Sequence, residues 1–202
     1  MLDKVATALI QPVVNAVAQR LAGFGIGANQ LTIVGFLIGL IAAYLIASHA
    51  WWTAIVAILV SRSCDALDGA VARRTQATDA GGFLDITLDF LFYASIPLAF
   101  AFADPLQNAL PAAVLLAAFM GTASSFLAFA ILATKRGMSN LKYPNKSFYF
   151  LGGLTEATET LAAFCAMCLW PQFFPEIAYG FALLCGVTIT TRIWWGWRVL
   201  QA

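Results

Sequence analysis

The chain has 202 residues, of which 61% are hydrophobic and only 10% are charged, and its mean hydropathy is +0.83. A water-soluble domain carries roughly a quarter charged residues, so this composition excludes an ordinary soluble protein. The formal net charge of +1 gives no sign of a nucleic-acid partner, and none is predicted.

The N-terminal segment has apolar residues at helical intervals between Leu2 and Ala22, with polar residues between them. Asp3, Lys4 and Arg20 interrupt it, so it lacks the compact apolar centre of a cleavable signal. The pattern predicts an amphipathic helix over residues 1–25 that lies in the membrane interface instead of crossing the bilayer.

Six apolar stretches follow, each long enough for a helix to cross a hydrocarbon layer of roughly 30 Å. The predicted spans cover residues 29–48, 51–73, 80–103, 108–133, 148–170 and 174–197. No internal repeat divides them, so residues 1–202 are read as one domain. The fold class is therefore all-α integral membrane: an interfacial helix followed by a bundle of six transmembrane helices over residues 29–199.

The basic residues show how this bundle is oriented. All 11 Lys and Arg residues fall on one side of the span map, and the loops 48–50, 103–107 and 170–174 have none. The positive-inside rule makes the basic side cytoplasmic, so both termini are predicted to lie inside the cell. Trp51, Trp52 and Trp170 mark the opposite interface as an aromatic belt.

Two pairs of aspartates lie inside predicted spans, where an ionised carboxylate costs about 2.5–3.5 kcal/mol at a helix centre. Asp65 and Asp68 fall in the second span, and Asp85 and Asp89 fall in the third. Spacings of three and four place each pair on one helix face, and the short turn between the spans lets the faces meet. Converging carboxylates repel, so the pattern predicts hard divalent cations, whose shells commonly include substrate phosphates.

Two other classes of protein can carry such carboxylates. A small cation or proton transporter uses intramembrane acids, but it is expected to show polar residues through the membrane depth, whereas these acids lie near one side. A transporter also has no need of the Gly69-Ala-Val-Ala72-Arg73 stretch beside its acids. A catalytically inactive membrane interaction protein is the third alternative.

The aspartates form part of a longer motif. The stretch Asp65-Ala-Leu-Asp68-Gly69-Ala-Val-Ala72-Arg73, followed by Gly81-Gly-Phe-Leu-Asp85-Ile-Thr-Leu-Asp89, resembles the CDP-alcohol phosphotransferase signature D-x2-D-G-x2-A-R-x8-G-x3-D-x3-D. One departure is that seven residues, not eight, separate Arg73 from Gly81. The span layout and the interfacial helix also resemble this family, and the whole sequence is similar to bacterial inner-membrane members.

The resemblance implies a metal-dependent transfer of a phosphatidyl group from CDP-diacylglycerol to the hydroxyl of a small polar alcohol, with release of CMP, in phospholipid biosynthesis. It implies a homodimer in the inner membrane, with the active site facing the cytoplasm. Two ions, Mg²⁺ or Mn²⁺, would be bound by Asp65, Asp68, Asp85 and Asp89, and Asp89 would also be the catalytic base. The implied CDP-donor contacts are Asn29, Gln30, Leu31, Thr32, Gly69, Ala72, Arg73, Thr78 and Gly81.

The acceptor alcohol is left open by the sequence. The loop residues Lys135, Arg136, Lys142 and Lys146 either fix the topology or attract an anionic acceptor, and Arg192 either snorkels to the interface or joins them. Glu156 and Glu159 share a helix face and either pair with a basic residue or line the acceptor pocket. The candidate acceptor contacts are Lys135, Arg136, Glu156 and Arg192, and glycerol phosphate, inositol compounds and serine all remain possible acceptors.

Overall fold

The computed structural model describes residues 2–138 and 153–201, with side chains from residue 9 onward. The described residues form helices joined by short turns, with no strand among them. The helices are α1 (Leu2–Gly23), α2 (Ala28–Ala47), α3 (Trp51–Ala72), α4 (Asp79–Ala103), α5 (Pro105–Lys135), α6 (Ala157–Leu169) and α7 (Phe174–Gln201), and a 3₁₀ turn, Pro171–Phe173, precedes α7. The prediction of an all-α protein is confirmed.

Within the described residues, four stretches are long and apolar enough to cross a membrane: α2, α4, α5, and the 3₁₀ turn together with α7. Helix α3 has 22 residues but carries three charged side chains, those of Arg62, Asp65 and Asp68. Large apolar side chains on the outer surface, including Leu37, Ile41 and Leu183, are exposed, as expected of helices that face lipid. The multi-pass membrane prediction is therefore supported for four of the six spans.

The predicted fifth span, 148–170, differs from the helix observed there. Helix α6 has 13 residues and begins only at Ala157, so it is roughly 20 Å long at about 1.5 Å per residue. The chain before it is not helical from Gly153 to Glu156, because the side chains of Glu156 and Glu159 cap the start of the helix. Residues 148–152 lie outside the described residues.

Helix α2 packs against both α3 and α4, and two glycines permit this close approach. A Cβ at Gly35 would lie 2.9 Å from the Cβ of Cys64, and one at Gly39 would lie 2.5 Å from the ring of Phe92. The Ser61 hydroxyl donates a hydrogen bond of 2.7 Å to the Gly35 carbonyl oxygen. Small residues at such crossings bring the backbones together, so the start of α2, the end of α3 and the start of α4 lie close to one another.

The core of the bundle is rich in aromatic side chains. Phe100 of α4 stacks on Phe174 of α7 with ring centroids 4.4 Å apart, and Trp51 of α3 also stacks on Phe100 at 5.7 Å. Phe92 and Phe164, both fully buried, pack edge to face nearer the site. These contacts fix α4 between the two halves of the bundle, and α4 carries half of the predicted carboxylates.

Helix α1 confirms that a helix precedes the bundle. Its Ala18 is buried against Ala70 and Val71 near the end of α3. Leu9 and Val13, by contrast, are exposed. Its position in the membrane interface remains a prediction.

Candidate active site

Three of the four predicted carboxylates converge. Asp65 and Asp68 project from one face of α3 and Asp85 projects from α4, and one oxygen of each lies within 4.8 Å of the others. Asp68 is the most buried of the three, with 4% of its surface exposed. We call these three residues the aspartate trio. Two carboxylates at this separation repel by about 3.5 kcal/mol at an effective dielectric constant of 20. A cation bound between these carboxylates would relieve this repulsion.

The aspartate trio fits a divalent metal ion in donor chemistry and in size. Carboxylate oxygens are the ligands that Mg²⁺ and Mn²⁺ prefer, and opposite ligands of Mg²⁺ lie about 4.2 Å apart. Neighbouring ligands of the same ion lie only about 3 Å apart, so the three oxygens, which lie within 4.8 Å of one another, would have to move closer by side-chain rotation to bind one ion together. The turn between α3 and α4, one residue shorter than the family signature, does not prevent this convergence.

Thr32 supports the trio from a third helix. Its hydroxyl donates a short hydrogen bond of 2.6 Å to Oδ2 of Asp68, and both side chains are buried. The same hydroxyl lies 3.1 Å from the Ala28 carbonyl oxygen, one turn earlier in α2. A hydrogen bond to a buried carboxylate is stronger than one between neutral groups, so Thr32 holds Asp68 in its orientation.

Asp89, the fourth predicted carboxylate, is paired with Arg62 in place of joining the trio. Nη1 of Arg62 donates a hydrogen bond to Oδ1 of Asp89 and lies 3.4 Å from Oδ1 of Asp65. The Arg62 side chain is 12% exposed, and its guanidinium carbon lies 3.8 Å from the centre of the Phe92 ring. This guanidinium is therefore part of the carboxylate site.

The sequence reasoning missed Arg62, which it counted only among the cations that set the topology. A signal for its role was present, because Arg62 lies three residues before Asp65 and so shares its helix face. What the sequence does not display is the neighbour on α4: residues 62 and 89 are far apart in the chain and meet only through helix packing.

A second group of predicted residues gathers where α2 and α4 begin. Oδ1 of Asn29 lies 2.8 Å from the position that a Cβ would take at Gly81, so only glycine lets the Asn29 side chain approach this closely. The hydroxyl of Thr78 accepts a hydrogen bond of 3.1 Å from the Gly81 N–H and caps α4. The predicted donor contacts Asn29, Thr78 and Gly81 thus form one cluster.

The remaining predicted donor contacts do not lie together in one cluster. The guanidinium of Arg73 extends back over Gly69, with Nη1 3.3 Å from the position of a Cβ there. Ala72 is the last residue of α3 and is partly buried. Gln30 caps its own helix, since its Oε1 accepts a hydrogen bond of 3.0 Å from Gly27 N–H, and Leu31 packs in the apolar contact between α1 and α3.

Arg192 lies in the protein interior, so snorkelling to the interface does not describe it. It is 9% exposed, and its Nη1 donates a hydrogen bond of 3.1 Å to the Thr122 carbonyl oxygen of α5. Its Nε is buried and has no hydrogen-bond partner among the described residues. A Cβ at Gly153 would lie 3.3 Å from its Nη2, so the segment before α6 closes over this guanidinium.

Of the other acceptor candidates, Glu156 lies beside Arg192 and the basic residues lie farther along the chain. Oε1 of Glu156 accepts a hydrogen bond of 3.3 Å from the Gly153 N–H, and its carboxylate interacts electrostatically with Arg192. Lys135 and Arg136 are exposed at the end of α5. Lys142 and Lys146 lie outside the described residues.

A small cavity opens beside the aspartate trio, between α2, α3 and α4. Its walls combine apolar side chains with the charged groups already described. It is lined by Thr32, Gly35, Phe36, Arg62, Asp65, Asp85, Leu88 and Asp89.

Known proteins resemble this chain in sequence and in fold. The chain belongs to the CDP-alcohol phosphatidyltransferase family, whose profile matches residues 26–194. The resemblance inferred from the aspartate signature is confirmed.

Two curated relatives share substantial sequence with the chain. The inner membrane protein YnjF of Escherichia coli K12 is 50% identical over 202 residues, which is 100% of this chain and 98% of that protein. The archaetidylinositol phosphate synthase of Pyrococcus horikoshii is 44% identical over 97 residues, 48% of this chain and 51% of that protein.

Two solved structures share the fold. Both are of the Mycobacterium tuberculosis phosphatidylinositol phosphate synthase. The structure with CDP-DAG bound has a TM-score of 0.72 and 18% identity, over 92% of this chain and 94% of that one. The complex with manganese and citrate has a TM-score of 0.69 and 19% identity, over 91% and 88%.

Proposed function

We propose that this protein transfers a phosphatidyl group from CDP-diacylglycerol to the hydroxyl of a polar alcohol and releases CMP. The observation that carries the proposal is the aspartate trio, because it joins carboxylates from both halves of the family signature at a spacing that suits a divalent ion. The transporter alternative is supported only by the carboxylates themselves, which both functions would use.

We assign each residue a role from the position of its side chain. Asp65, Asp68 and Asp85 would hold Mg²⁺ or Mn²⁺, which when bound supplies positive charge beside the donor pyrophosphate and favours departure of CMP. Thr32 orients Asp68, and Asp89 accepts the proton of the acceptor hydroxyl. A manganese complex of a protein with this fold supports the metal assignment.

The donor would bind at the cytoplasmic ends of α2, α3 and α4. Arg73, exposed above Gly69, is placed to pair with a phosphate of the donor. Asn29, Thr78 and Gly81 form the neighbouring cluster and would contact the nucleotide. The CDP-DAG complex of the Mycobacterium tuberculosis enzyme, which shares the fold, supports CDP-diacylglycerol as the donor.

For the acceptor, an inositol phosphate is the first candidate to test. Two relatives by sequence or fold are named as an archaetidylinositol phosphate synthase and a phosphatidylinositol phosphate synthase. The buried guanidinium of Arg192, whose Nε has no hydrogen-bond partner in the part of the chain that the structure describes, suits an anionic acceptor. Lys135 and Arg136 lie at the end of the same α5 that Arg192 contacts. Glu156 would hold Arg192 in place.

In this proposal, the chain is a bacterial inner membrane protein with both termini and the active site on the cytoplasmic side. The name of its relative YnjF and the four apolar helices support that location. Exposed Leu9 and Val13 on α1 support an interfacial position for that helix, beside the end of α3. The homodimer stays a prediction.

The test measures CMP release by the purified protein in detergent micelles with CDP-diacylglycerol and Mg²⁺ or Mn²⁺. The acceptor panel holds inositol 1-phosphate, glycerol 3-phosphate, inositol and serine, and mass spectrometry identifies the lipid formed. Asp85→Asn removes one ligand of the trio and is expected to reduce turnover at least 100-fold. The matched control is Asp104→Asn, since Asp104 caps α5 at the other end of α4 and asparagine caps equally well. Turnover without added metal, or full activity of Asp85→Asn, contradicts the proposal.

A further inference from the structure

We propose that Arg62 is a resident cation of the active site: its guanidinium takes the place between Asp65 and Asp89 that a second divalent ion would occupy. The chain then binds one divalent ion, at the aspartate trio, in contrast to the two that the family resemblance implies. This inference rests on the metal site of the proposed function and adds to it the number of ions and a residue that sets that number.

The position of the guanidinium is the first observation. A single nitrogen, Nη1, donates to Oδ1 of Asp89 and also faces Oδ1 of Asp65 at 3.4 Å. It therefore bridges one carboxylate of α3 and one of α4, as a metal ion between the two helices would. Asp65 therefore belongs to the aspartate trio and also contacts Arg62.

The second observation is that Arg62 has further contacts within the bundle, although its buried Nε has no hydrogen-bond partner among the described residues. The guanidinium lies against the face of Phe92, 3.8 Å from the ring centre, and 5.6 Å from that of Tyr93. Its Nη2 donates a hydrogen bond of 3.3 Å to the Ser61 hydroxyl. Phe92 is fully buried and packs against Gly39, so its ring has no room to turn away. These contacts place the guanidinium within the carboxylate site, with its charge against an aromatic face.

The consequence for metal binding follows from charge. A divalent ion placed between Asp65, Asp85 and Asp89 would meet the Arg62 guanidinium at contact distance, and like charges in a partly buried site repel strongly. Such an ion would first have to displace Arg62 from Asp89 and from the Phe92 ring. The aspartate trio meets less of this repulsion, because Arg62 hydrogen-bonds to Asp89 and, within the trio, lies beside Asp65 alone at 3.4 Å, which leaves Asp68 and Asp85 available.

The experiment counts Mn²⁺ ions bound to the purified full-length protein without nucleotide, from the loss of the free Mn²⁺ electron paramagnetic resonance signal. Wild type is expected to bind about one ion per chain, and Arg62→Met about two. The double variant Arg62→Met/Asp89→Asn is expected to return to about one, because the second ion needs Asp89. Arg74→Met is the matched control: it removes an exposed positive charge at the end of the same helix and is expected to leave the count at one.

Each outcome decides a different point. Two ions on the wild type, or the same count for wild type and a folded Arg62→Met, overturns the resident cation and leaves the proposed function standing. No bound ion on the wild type overturns the metal site and this inference together. Removing Arg62 leaves buried carboxylates unpaired and can unfold the variant. In that case the wild-type count decides, and Arg62→Lys, which keeps the charge, is expected to bind one ion.

Discussion

The hydrogen bond from Thr32 to Asp68 offers the sharpest test of the metal site that does not depend on turnover. Thr32→Val keeps nearly the same side-chain shape and removes the hydroxyl that donates a hydrogen bond of 2.6 Å to Oδ2 of Asp68. Both side chains are buried, so water cannot easily replace the lost donor. The altered variant folds with an Asp68 carboxylate that is no longer held in its orientation.

The magnitude follows from the kind of bond. A hydrogen bond to a charged group contributes about 1.5–3 kcal/mol. If that energy serves to hold Asp68 as a ligand, its loss weakens Mn²⁺ binding roughly 10- to 100-fold, the range typical of residues that orient metal ligands. Thr32→Ser keeps the hydroxyl and is expected to bind Mn²⁺ within about threefold of the wild type.

The assay is Mn²⁺ titration in detergent, followed by electron paramagnetic resonance. The matched control is Thr87→Val, because the Thr87 hydroxyl also bonds to the carbonyl one turn earlier, that of Phe83 at 2.7 Å, but touches no carboxylate. Comparing the two variants cancels the general effect of replacing threonine by valine in a helix. Equal Mn²⁺ affinity for Thr32→Val and Thr87→Val refutes the role of the Thr32–Asp68 bond.

Three further predictions concern packing, the acceptor and the base. Gly35→Ala is expected to destabilise the protein by about 1–3 kcal/mol in thermal unfolding in detergent, because the new Cβ would lie 2.9 Å from the Cβ of Cys64. The control Gly186→Ala is expected not to destabilise it, because no atom lies within 4 Å of the new Cβ. Equal melting temperatures of the two variants would contradict the close approach of α2 and α3 at Gly35. Arg192→Ala is expected to raise the KM for an anionic acceptor at least tenfold with a smaller change in kcat, and an unchanged KM would return Arg192 to a purely structural role. Asp89→Asn is expected to abolish CMP release while the trio still binds Mn²⁺; full activity would remove Asp89 as the base.

The class of protein and the core of its site could be predicted from the sequence because both depend on patterns among residues close together in the chain. Apolar runs interrupted by short polar turns identify a membrane protein whatever the packing, since helices must satisfy their own backbone hydrogen bonds in lipid. Spacings of three and four residues are helix-face spacings, so the pairing of Asp65 with Asp68 needed no tertiary information. The short turn between α3 and α4 then brought Asp85 to them, as predicted.

What only the tertiary structure decided are the contacts between residues distant in the chain. Arg62 appeared to be one cation among several that set the topology, until the packing of α3 against α4 placed it on Asp89 and against Phe92. The family resemblance implied only a donor contact for Thr32, and it took the close approach of α2 at Gly35 to place its hydroxyl on Asp68. A sequence pattern determines which residues share one face of a helix. The packing of the whole bundle determines which face of a neighbouring helix lies against that face. In this site, the packing therefore decided which partner each charged side chain meets.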